Sequence, residues 1–315
     1  MKPPVIVLAG PTGVGKTKLS LALAKALDAE IVSADSMQVY RGLDIGTAKA
    51  SKEEQALVPH HLIDVANPEE DFNIVRYVEL GREAIRDIHS RQKIPLIVGG
   101  TGFYIQALIK DLDFSEEEDD GVREALIREA EQGGAKALYQ RLQAVDPAAA
   151  AAIHPNNLKR VIRALEYYEK TGGRISALNT EQSGKESPYR VLYLVLTLPR
   201  ETLYRQIEAR VDRMMEEGLL DETKRLLERP LPPDATALQS IGYKELAGYI
   251  RGDDSREEAV LRIKLASRHY AKRQITWFKR EKDTVWIDKS SLPDEESLLQ
   301  HALQICREFL AGEKL

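Results

Sequence analysis

The sequence predicts an α/β fold in which a parallel β-sheet is covered by helices and interrupted by a helical insertion. The first half of the chain alternates short apolar runs with amphipathic segments. The apolar runs are Val5–Ala9, Glu30–Ala34, Leu62–Val65 and Ile94–Val98, and the amphipathic segments are Lys16–Leu27 and Ile74–Arg91. Strands and helices that alternate over short connections are typical of a parallel sheet, because each helix returns the chain to the same edge.

The strand pattern stops near Asp113 and resumes at Tyr189–Leu198. The intervening stretch opens with the acidic run Ser115–Asp120, which we predict to be a solvated loop. Its predicted helices are Val122–Gln132, Ala135–Leu142 and Leu158–Lys170, and a polar stretch, Asn179–Pro188, closes it. We therefore predict two domains, a core of residues 1–114 and 189–315 and a helical insertion of residues 115–188.

After the insertion, the sequence predicts mostly helices, and its charges are unevenly distributed. We predict a long helix over Glu201–Glu228, followed by a Pro-rich loop at Pro230–Pro233. A basic helix over Arg256–Arg280 and a last helix over Leu298–Leu310 follow. The net charge is −5, yet residues 262–282 contain eight Lys or Arg residues and a single acid, Glu281. Local fields rather than the total charge attract a polyanion, so a nucleic-acid partner is not excluded.

The composition restricts the class of protein. With 315 residues, of which 43% are hydrophobic, the chain can bury a large core. The single cysteine, Cys306, excludes an internal disulfide. Apolar runs such as Val191–Leu198 are far shorter than the roughly 20 residues of a membrane span, and Met1–Pro4 leads straight into a strand-like run without a secretory signal. These observations predict a cytoplasmic enzyme with no membrane partner.

A glycine-rich loop between the first strand and the first helix carries the strongest functional signal. Gly10-Pro-Thr-Gly-Val-Gly15-Lys16-Thr17 fits the pattern G-x-x-x-x-G-K-[ST] in the context that this motif requires. Glycines allow the backbone to curl so that its N–H groups point at phosphate oxygens, with a helix N-terminus behind them. Lys16 adds a positive charge, and the Thr17 hydroxyl is placed to bind Mg²⁺. The fold class is therefore a P-loop NTPase-like sheet, although the loop identifies a phosphate and not a reaction.

Two further strand ends offer candidate residues with more than one interpretation. Asp35 follows the second strand, at the edge where open α/β sheets bind ligands, and could bind Mg²⁺, cap a helix or act as a base. Thr101 follows the fourth strand within a second glycine-rich turn, and could cap the next helix or donate to phosphate. His60 and His61 have no Cys or His at ligand spacing, which argues against zinc.

Six segments in order along the chain resemble the bacterial tRNA dimethylallyltransferases. They are the Gly10–Thr17 loop, Asp35–Tyr40 with Asp44–Lys49, Val98–Tyr104, Asn157–Glu166, Ser240–Glu245 and Ala271–Phe278. The resemblance spans residues 5 to about 280, and no recognisable motif covers the last 30 or so residues.

The resemblance implies a prenyl transfer to RNA with Mg²⁺ as cofactor. The dimethylallyl group of dimethylallyl diphosphate would move to N6 of the adenosine on the 3′ side of the tRNA anticodon, and pyrophosphate would leave. The diphosphate would be bound by Gly10, Pro11, Thr12, Gly13, Val14, Gly15, Lys16 and Thr17. The implied catalytic residues are Asp35 as the base, and Thr101 and Arg210 towards the pyrophosphate. Without the resemblance, Arg210 would be interpreted as a solvated helix residue.

The resemblance also implies a surface for the anticodon stem-loop of tRNA, and we expect a monomer. The implied RNA-binding residues are Asp35, Ser36, Met37, Gln38, Thr101, Arg123, Lys159, Arg160, Val161, Ile162, Arg163, Ser240, Ile241, Gly242, Tyr243, Lys244, Arg268, Lys272, Arg273 and Gln274. Several of them have an ordinary alternative: Leu158–Leu165 is also an amphipathic helix whose basic residues simply face water.

Two other functions use the same phosphate loop. A nucleotide kinase or an adenylate isopentenyltransferase would act on a free nucleotide, but it has no evident use for the insertion and the basic helix. An ATP-driven RNA-remodelling module would need a strand ending in acids for Mg²⁺, for which Leu62-Ile63-Asp64 is a weak candidate.

Overall fold

The protein divides into two compact units, which we describe separately. The computed structural model describes residues 2–110, 112, 121–232 and 235–312. The larger unit consists of Met1–Lys110 and Ser187–Leu315, and the smaller one is Asp111–Glu186. The acidic run Ser115–Asp120 and Pro233 of the Pro-rich loop lie outside the described residues.

Within the described residues, the larger unit contains a six-stranded sheet in the order β3-β2-β4-β1-β5-β6. The strands are β1 (Pro4–Ala9), β2 (Ala29–Ala34), β3 (His60–His61), β4 (Ile94–Gly99), β5 (Arg190–Thr197) and β6 (Thr284–Asp288). Every pairing is parallel. Strand β1 lies between β4 and β5, and helices cover it, so that Val5 to Ala9 have no exposed surface. This burial on both faces explains why its sequence is continuously apolar.

The helices of the larger unit lie on the faces of this sheet and at its edges. They are α1 (Lys16–Leu27), α2 (Lys52–Leu57), α3 (Ile74–Ser90), α4 (Gly102–Ile109), α10 (Arg200–Glu216), α11 (Leu219–Leu227), α12 (Tyr243–Arg251), α13 (Arg256–Phe278) and α14 (Glu295–Ala311). Leu23 of α1 and Phe309 of α14 share one hydrophobic core with Leu8 and Leu194 of the sheet. Among the described residues, no helix combines the length and apolar character needed to cross a membrane.

The smaller unit is helical throughout its described part. Its helices are α5 (Val122–Gly133), α6 (Ala135–Val145), α7 (Pro147–Ala152), α8 (Leu158–Thr171) and α9 (Ile175–Gly184). Leu126, Leu138, Leu142, Val161 and Leu165 meet in a separate hydrophobic core. This unit therefore buries its own apolar surface.

The structure confirms the α/β class with a parallel sheet but differs from the predicted elements in several places. The third strand is His60–His61, because Leu62 and Asp64 have left-handed φ angles of 62° and 57° that a strand cannot contain. The predicted helix Glu201–Glu228 is two helices, broken at Gly218, where φ is 102°. Several elements were not predicted, namely α9, which lies partly in the polar stretch Asn179–Pro188, the short helices α2, α7 and α12, and the edge strand β6.

Glu30 in β2 ties one edge of the sheet to the helix that covers it. Its carboxylate is 2% exposed, accepts a bidentate ion pair from Arg91 and lies 2.8 Å from Nε2 of His61. Hydrogen bonds from Arg91 lower the pKa of Glu30 to about 2, although burial acts in the opposite direction. Because this pKa lies below the unfolded value, the ionised carboxylate stabilises the folded state above about pH 4.5.

We predict that Glu30→Gln lowers the free energy of unfolding by roughly 1–3 kcal/mol near pH 7, since it leaves the Arg91 guanidinium without its buried partner. The difference from the unsubstituted protein should shrink as the pH falls from about 4.5 towards 2, where the Glu30 carboxylate is itself protonated. Urea unfolding over a pH series measures it. Asp87→Asn is the control, because this exposed carboxylate also binds Arg91 and should cost only about 0.5 kcal/mol.

Candidate functional site

A cleft at the carboxyl ends of the parallel strands brings most of the predicted site residues together. It encloses about 360 Å³, which suits a small ligand. The predicted residues that line it are Thr12, Gly13, Gly15, Lys16, Thr17, Asp35, Ser36, Met37, Gln38, Arg210, Ser240, Ile241, Gly242, Arg273 and Gln274. Gly10, Pro11 and Val14 of the phosphate loop are buried beneath this surface. Segments that are distant in the chain therefore meet at one site.

The phosphate loop has the backbone that its glycines predict. Gly10 has a φ of 151°, and a Cβ there would lie 2.6 Å from the carbonyl oxygen of Leu196, so only glycine fits. Gly15 has a φ of 97° and directly precedes helix α1. The ammonium of Lys16 bends back over the loop and donates to the carbonyl oxygens of Gly10 and Pro11, at 2.8 and 2.9 Å. This arrangement directs the N-terminus of α1 into the cleft.

Lys16 and Arg210 place two poorly compensated cations beside one another in this cleft. Burial, and then the charge of Arg210, lower the pKa of Lys16 to about 7. Burial also lowers the pKa of Arg210, whose Nη1 lies 3.3 Å from Oγ1 of Thr12. Within the described chain neither forms an ion pair, and Asp35 is a carboxylate that raises both pKa values. An anion bound here would relieve both desolvated charges.

Gln274 in α13 joins the phosphate loop to the second glycine-rich turn. Its Oε1 accepts a hydrogen bond from Thr12 N at 2.8 Å, and its Nε2 donates to the carbonyl oxygen of Gly100 at 2.9 Å. A side chain at Gly100 would collide with this amide. Tyr270, one turn earlier, contacts both Thr101 and Gln274, and burial raises the pKa of its phenol to about 12. Tyr270 lies outside every motif of the sequence and was not predicted as a site residue.

Asp35 is oriented by its own backbone, with one carboxylate oxygen left unoccupied. Its Oδ1 accepts from the amides of Met37 and Gln38 at 2.9 and 3.4 Å, while Oδ2 accepts from none of the described residues. The adjacent amide of Ser36 donates to Oγ1 of Thr101 at 3.3 Å. Asp35 and Thr101 therefore belong to one local arrangement, and neither caps a helix with its side chain.

A buried carboxylate that the sequence did not reveal fixes the loop opposite Asp35. Glu222 in α11 is 4% exposed and accepts the amides of Asp44, Ile45 and Gly46, each at 3.0 Å. The hydroxyl of Tyr243 donates to the same carboxylate at 2.5 Å. This tyrosine packs against Gly46, where a Cβ would lie 2.5 Å from its ring. Glu222 has no motif around it that could have identified this role.

Apart from Ser240, which is buried but lines the cleft, four residues predicted to contact RNA have buried side chains. Val161 and Ile162 belong to the hydrophobic core of the smaller unit. Tyr243 is 1% exposed, and the Gln274 amide is used entirely within the protein. Their motif positions reflect packing, so we leave these side chains out of the proposed RNA surface.

The basic residues predicted to bind RNA differ in whether they form ion pairs within the protein. Arg123 forms an ion pair with Glu166, and Arg268 forms one with Glu208. Six of the basic residues predicted to bind RNA are exposed and form no ion pair with any described residue. They are Lys159, Arg160 and Arg163 in the smaller unit, and Lys244 on α12 and Lys272 and Arg273 on α13 of the larger one.

Thr17 is the residue whose chemistry fits a metal ion bound together with phosphate. Its side chain is exposed in the first turn of α1 and forms no hydrogen bond with the described residues. No group of three or more His, Cys, Asp or Glu side chains occurs at metal-binding distances in the described chain. Mg²⁺ typically takes one or two protein ligands and completes its shell with phosphate oxygens and water, which suits this site.

Comparison with known proteins gives a consistent result. Residues 38–281 match the family described as IPP transferase, and residues 3–64 match one described as isopentenyl transferase. The tRNA dimethylallyltransferase of Lachnoclostridium phytofermentans is 50% identical, with 97% of this chain and 98% of that protein aligned. That of Bacillus subtilis is 48% identical over 94% of both chains.

Solved structures extend the similarity to the fold. The full-length tRNA isopentenylpyrophosphate transferase of Bacillus halodurans is 42% identical, with a TM-score of 0.72 over 99% of this chain and 96% of that one. A eukaryotic dimethylallyltransferase, described as acting on tRNA, is 32% identical, with a TM-score of 0.85 over 99% and 81%. Together with the phosphate loop and the cleft, these matches show that the chain belongs to the IPP transferase family.

Proposed function

We propose that the protein transfers the dimethylallyl group from dimethylallyl diphosphate to N6 of the adenosine on the 3′ side of the tRNA anticodon. The observation that carries this proposal is the shared cleft. It holds a phosphate loop with two cations that form no ion pair in the described chain and, facing them, an aspartate with an unoccupied carboxylate oxygen. Relatives with the corresponding printed names support the same activity.

The loop side of the cleft suits the departure of pyrophosphate. The bond between the allyl carbon and the bridging oxygen breaks, and its electron pair leaves with the diphosphate. Lys16, Arg210 and the loop N–H groups stabilise the negative charge where it develops, at no cost of reorganisation because the loop is already curled. Thr101 is proposed to donate to the same leaving group.

The Asp35 side suits the incoming nitrogen. The lone pair of adenine N6 is delocalised into the ring, which makes it a weak nucleophile. A carboxylate that accepts its N–H raises the electron density on N6 and removes the proton as the new N–C bond forms. Oδ1 of Asp35 is held by the amide of Met37, so Oδ2 is the atom that would accept this proton.

We propose Mg²⁺ as the metal, held by Thr17 and the diphosphate oxygens. When bound, it would neutralise charge on the leaving pyrophosphate. The other proposed catalytic roles, which are stabilising the leaving group and removing the proton, belong to residues of the cleft.

The exposed cations are proposed to hold the tRNA. N6 lies within a stacked anticodon loop, so the base must turn out to reach Asp35. Phosphate contacts from Lys272 and Arg273 in the larger unit, and from Lys159, Arg160 and Arg163 in the smaller unit, would position the stem-loop. That the enzyme is a monomer and lies in the cytoplasm stays a prediction.

We predict that label from dimethylallyl diphosphate enters unmodified tRNA in a Mg²⁺-dependent reaction that needs no ATP. The physical reason is that the cleavage of the diphosphate itself drives the transfer. Filter-bound radioactivity measures it, with ATP and free AMP tested as alternative substrates. Phosphoryl transfer from ATP, or prenylation of AMP without prenylation of tRNA, would contradict the proposal.

We predict that Asp35→Asn reduces turnover roughly 10²–10⁴-fold, the usual effect of removing a general base. Asparagine keeps the Oδ1 acceptor of the local turn, so the affinity for dimethylallyl diphosphate should change little. Arg210→Ala should weaken both turnover and diphosphate binding, whereas Arg205→Ala, exposed on the same helix, is its control. Rate assays and calorimetry separate the two effects. A loss of diphosphate affinity in Asp35→Asn would instead make Asp35 a phosphate or metal residue.

We predict that the double variant Lys272→Ala/Arg273→Ala raises KM for tRNA far more than it weakens diphosphate binding, although Arg273 also lines the cleft. Removing one phosphate interaction with single-stranded RNA lowers the log–log salt dependence of binding by about 0.7, so removing two lowers it by about 1.4. The control is Lys25→Ala/Arg86→Ala, which removes two exposed cations near the ends of α1 and α3, away from the cleft. An equal salt slope in both double variants would mean that the α13 cations are merely solvated.

A further inference from the structure

Lys289 lies beside the phosphate loop although it belongs to the C-terminal segment. It directly follows β6, whose carboxyl end lies at the same edge of the sheet as the cleft. Its Nζ lies 3.2 Å from the position that a Cβ on Gly15 would occupy. Lys289 also lies beyond Ala271–Phe278, the last motif along the chain, so no motif indicates that it lies near the cleft.

The backbone that carries Lys289 is held by a compact turn. Oδ1 of Asp288 accepts hydrogen bonds from the amide and the hydroxyl of Ser290, at 2.9 and 2.7 Å. The hydroxyl of Ser291 donates to the carbonyl oxygen of Asp288 at 2.7 Å. The Lys289 side chain is 21% exposed, so it leaves this turn along the protein surface towards the loop.

The surroundings of Lys289 favour an anion. The cavity on the outer side of the phosphate loop is lined by more cations than acids, namely Lys18, Lys49, Lys52, Arg210, Arg213 and Lys289 against Asp44, Glu217 and Glu295. Within the described chain, the ion-pair partner of Lys289 is Glu295, at 2.5 Å. An ammonium group has three N–H donors, so two stay available while the pair with Glu295 persists.

We propose that Lys289 is a further diphosphate-binding residue, which adds a positive charge from the C-terminal segment to the outer side of the phosphate loop. Glu295 orients the ammonium group and competes with the ligand for it. This inference rests on the proposed function. The competing explanation is that the ion pair only ties β6 to α14.

Substituting either Lys289 or Glu295 breaks the ion pair, but only Lys289 is proposed to bind the ligand. The two substitutions therefore distinguish these explanations. If Lys289 binds the ligand, Lys289→Ala should raise the Kd of inorganic pyrophosphate about twofold to fivefold, the effect of one partly solvated charge contact. Glu295→Gln should leave the Kd unchanged or lower it, because it removes a competing negative charge. Calorimetry with pyrophosphate and Mg²⁺ at fixed ionic strength measures both, and thermal unfolding verifies that the variants are folded.

The outcomes separate this inference from the function on which it rests. Equal weakening in Lys289→Ala and Glu295→Gln would overturn it in favour of a structural ion pair, and so would an unchanged Kd in Lys289→Ala. Lys16→Ala is the reference for the loop itself. Weakening in Lys16→Ala but not in Lys289→Ala overturns only the role of Lys289, whereas weakening in neither variant contradicts the proposed function as well.

Discussion

The buried amide of Gln274 holds the two glycine-rich turns of the cleft at a fixed separation. One end of this amide accepts from Thr12 in the phosphate loop, and the other donates to Gly100 after β4. Both turns follow strands of the same parallel sheet, and the amide bridges them beyond the last pairing of these strands, Ala9 with Gly99. A side chain from α13 performs this task, so the helix that presents Lys272 and Arg273 to solvent also sets the geometry of the proposed diphosphate site.

The packing of helices against the phosphate loop also determines the electrostatics of the cleft. The same packing that brings α10 and α13 against the loop takes Lys16 and Arg210 out of water without giving either an ion-pair partner in the described chain. Two desolvated cations side by side cost stability, and proteins retain such arrangements where a ligand relieves them. The two cations lower the stability of the folded protein, and the proposed binding of a diphosphate would offset this cost.

Local geometry determines which parts of the molecule could be predicted from the sequence. The strands at Val5–Ala9 and Ile94–Val98 are largely apolar because they are buried within the sheet, and the phosphate loop has glycine where the backbone must curl. The break at Gly218 was missed because the apolar spacing continues on both sides of it. Strand β6 was missed because its five residues are too few to show a strand period, and with it the position of Lys289 was missed.

Glu222 shows why the rest of the site could not be predicted. Its carboxylate gathers three successive amides of the segment Asp44–Gly46 and the hydroxyl of Tyr243, although nothing in its own sequence surroundings distinguishes it. The contact between Gly46 and Tyr243 links two motifs that are distant in the chain. The Tyr243 ring occupies the space that a side chain at position 46 would need, so only glycine fits there. Tyr243 thus supports a loop that lines the same cleft as Asp35, and its buried hydroxyl is bonded to Glu222. A residue in a recognisable motif can act entirely as support, and only the packing of the folded chain separates that role from binding.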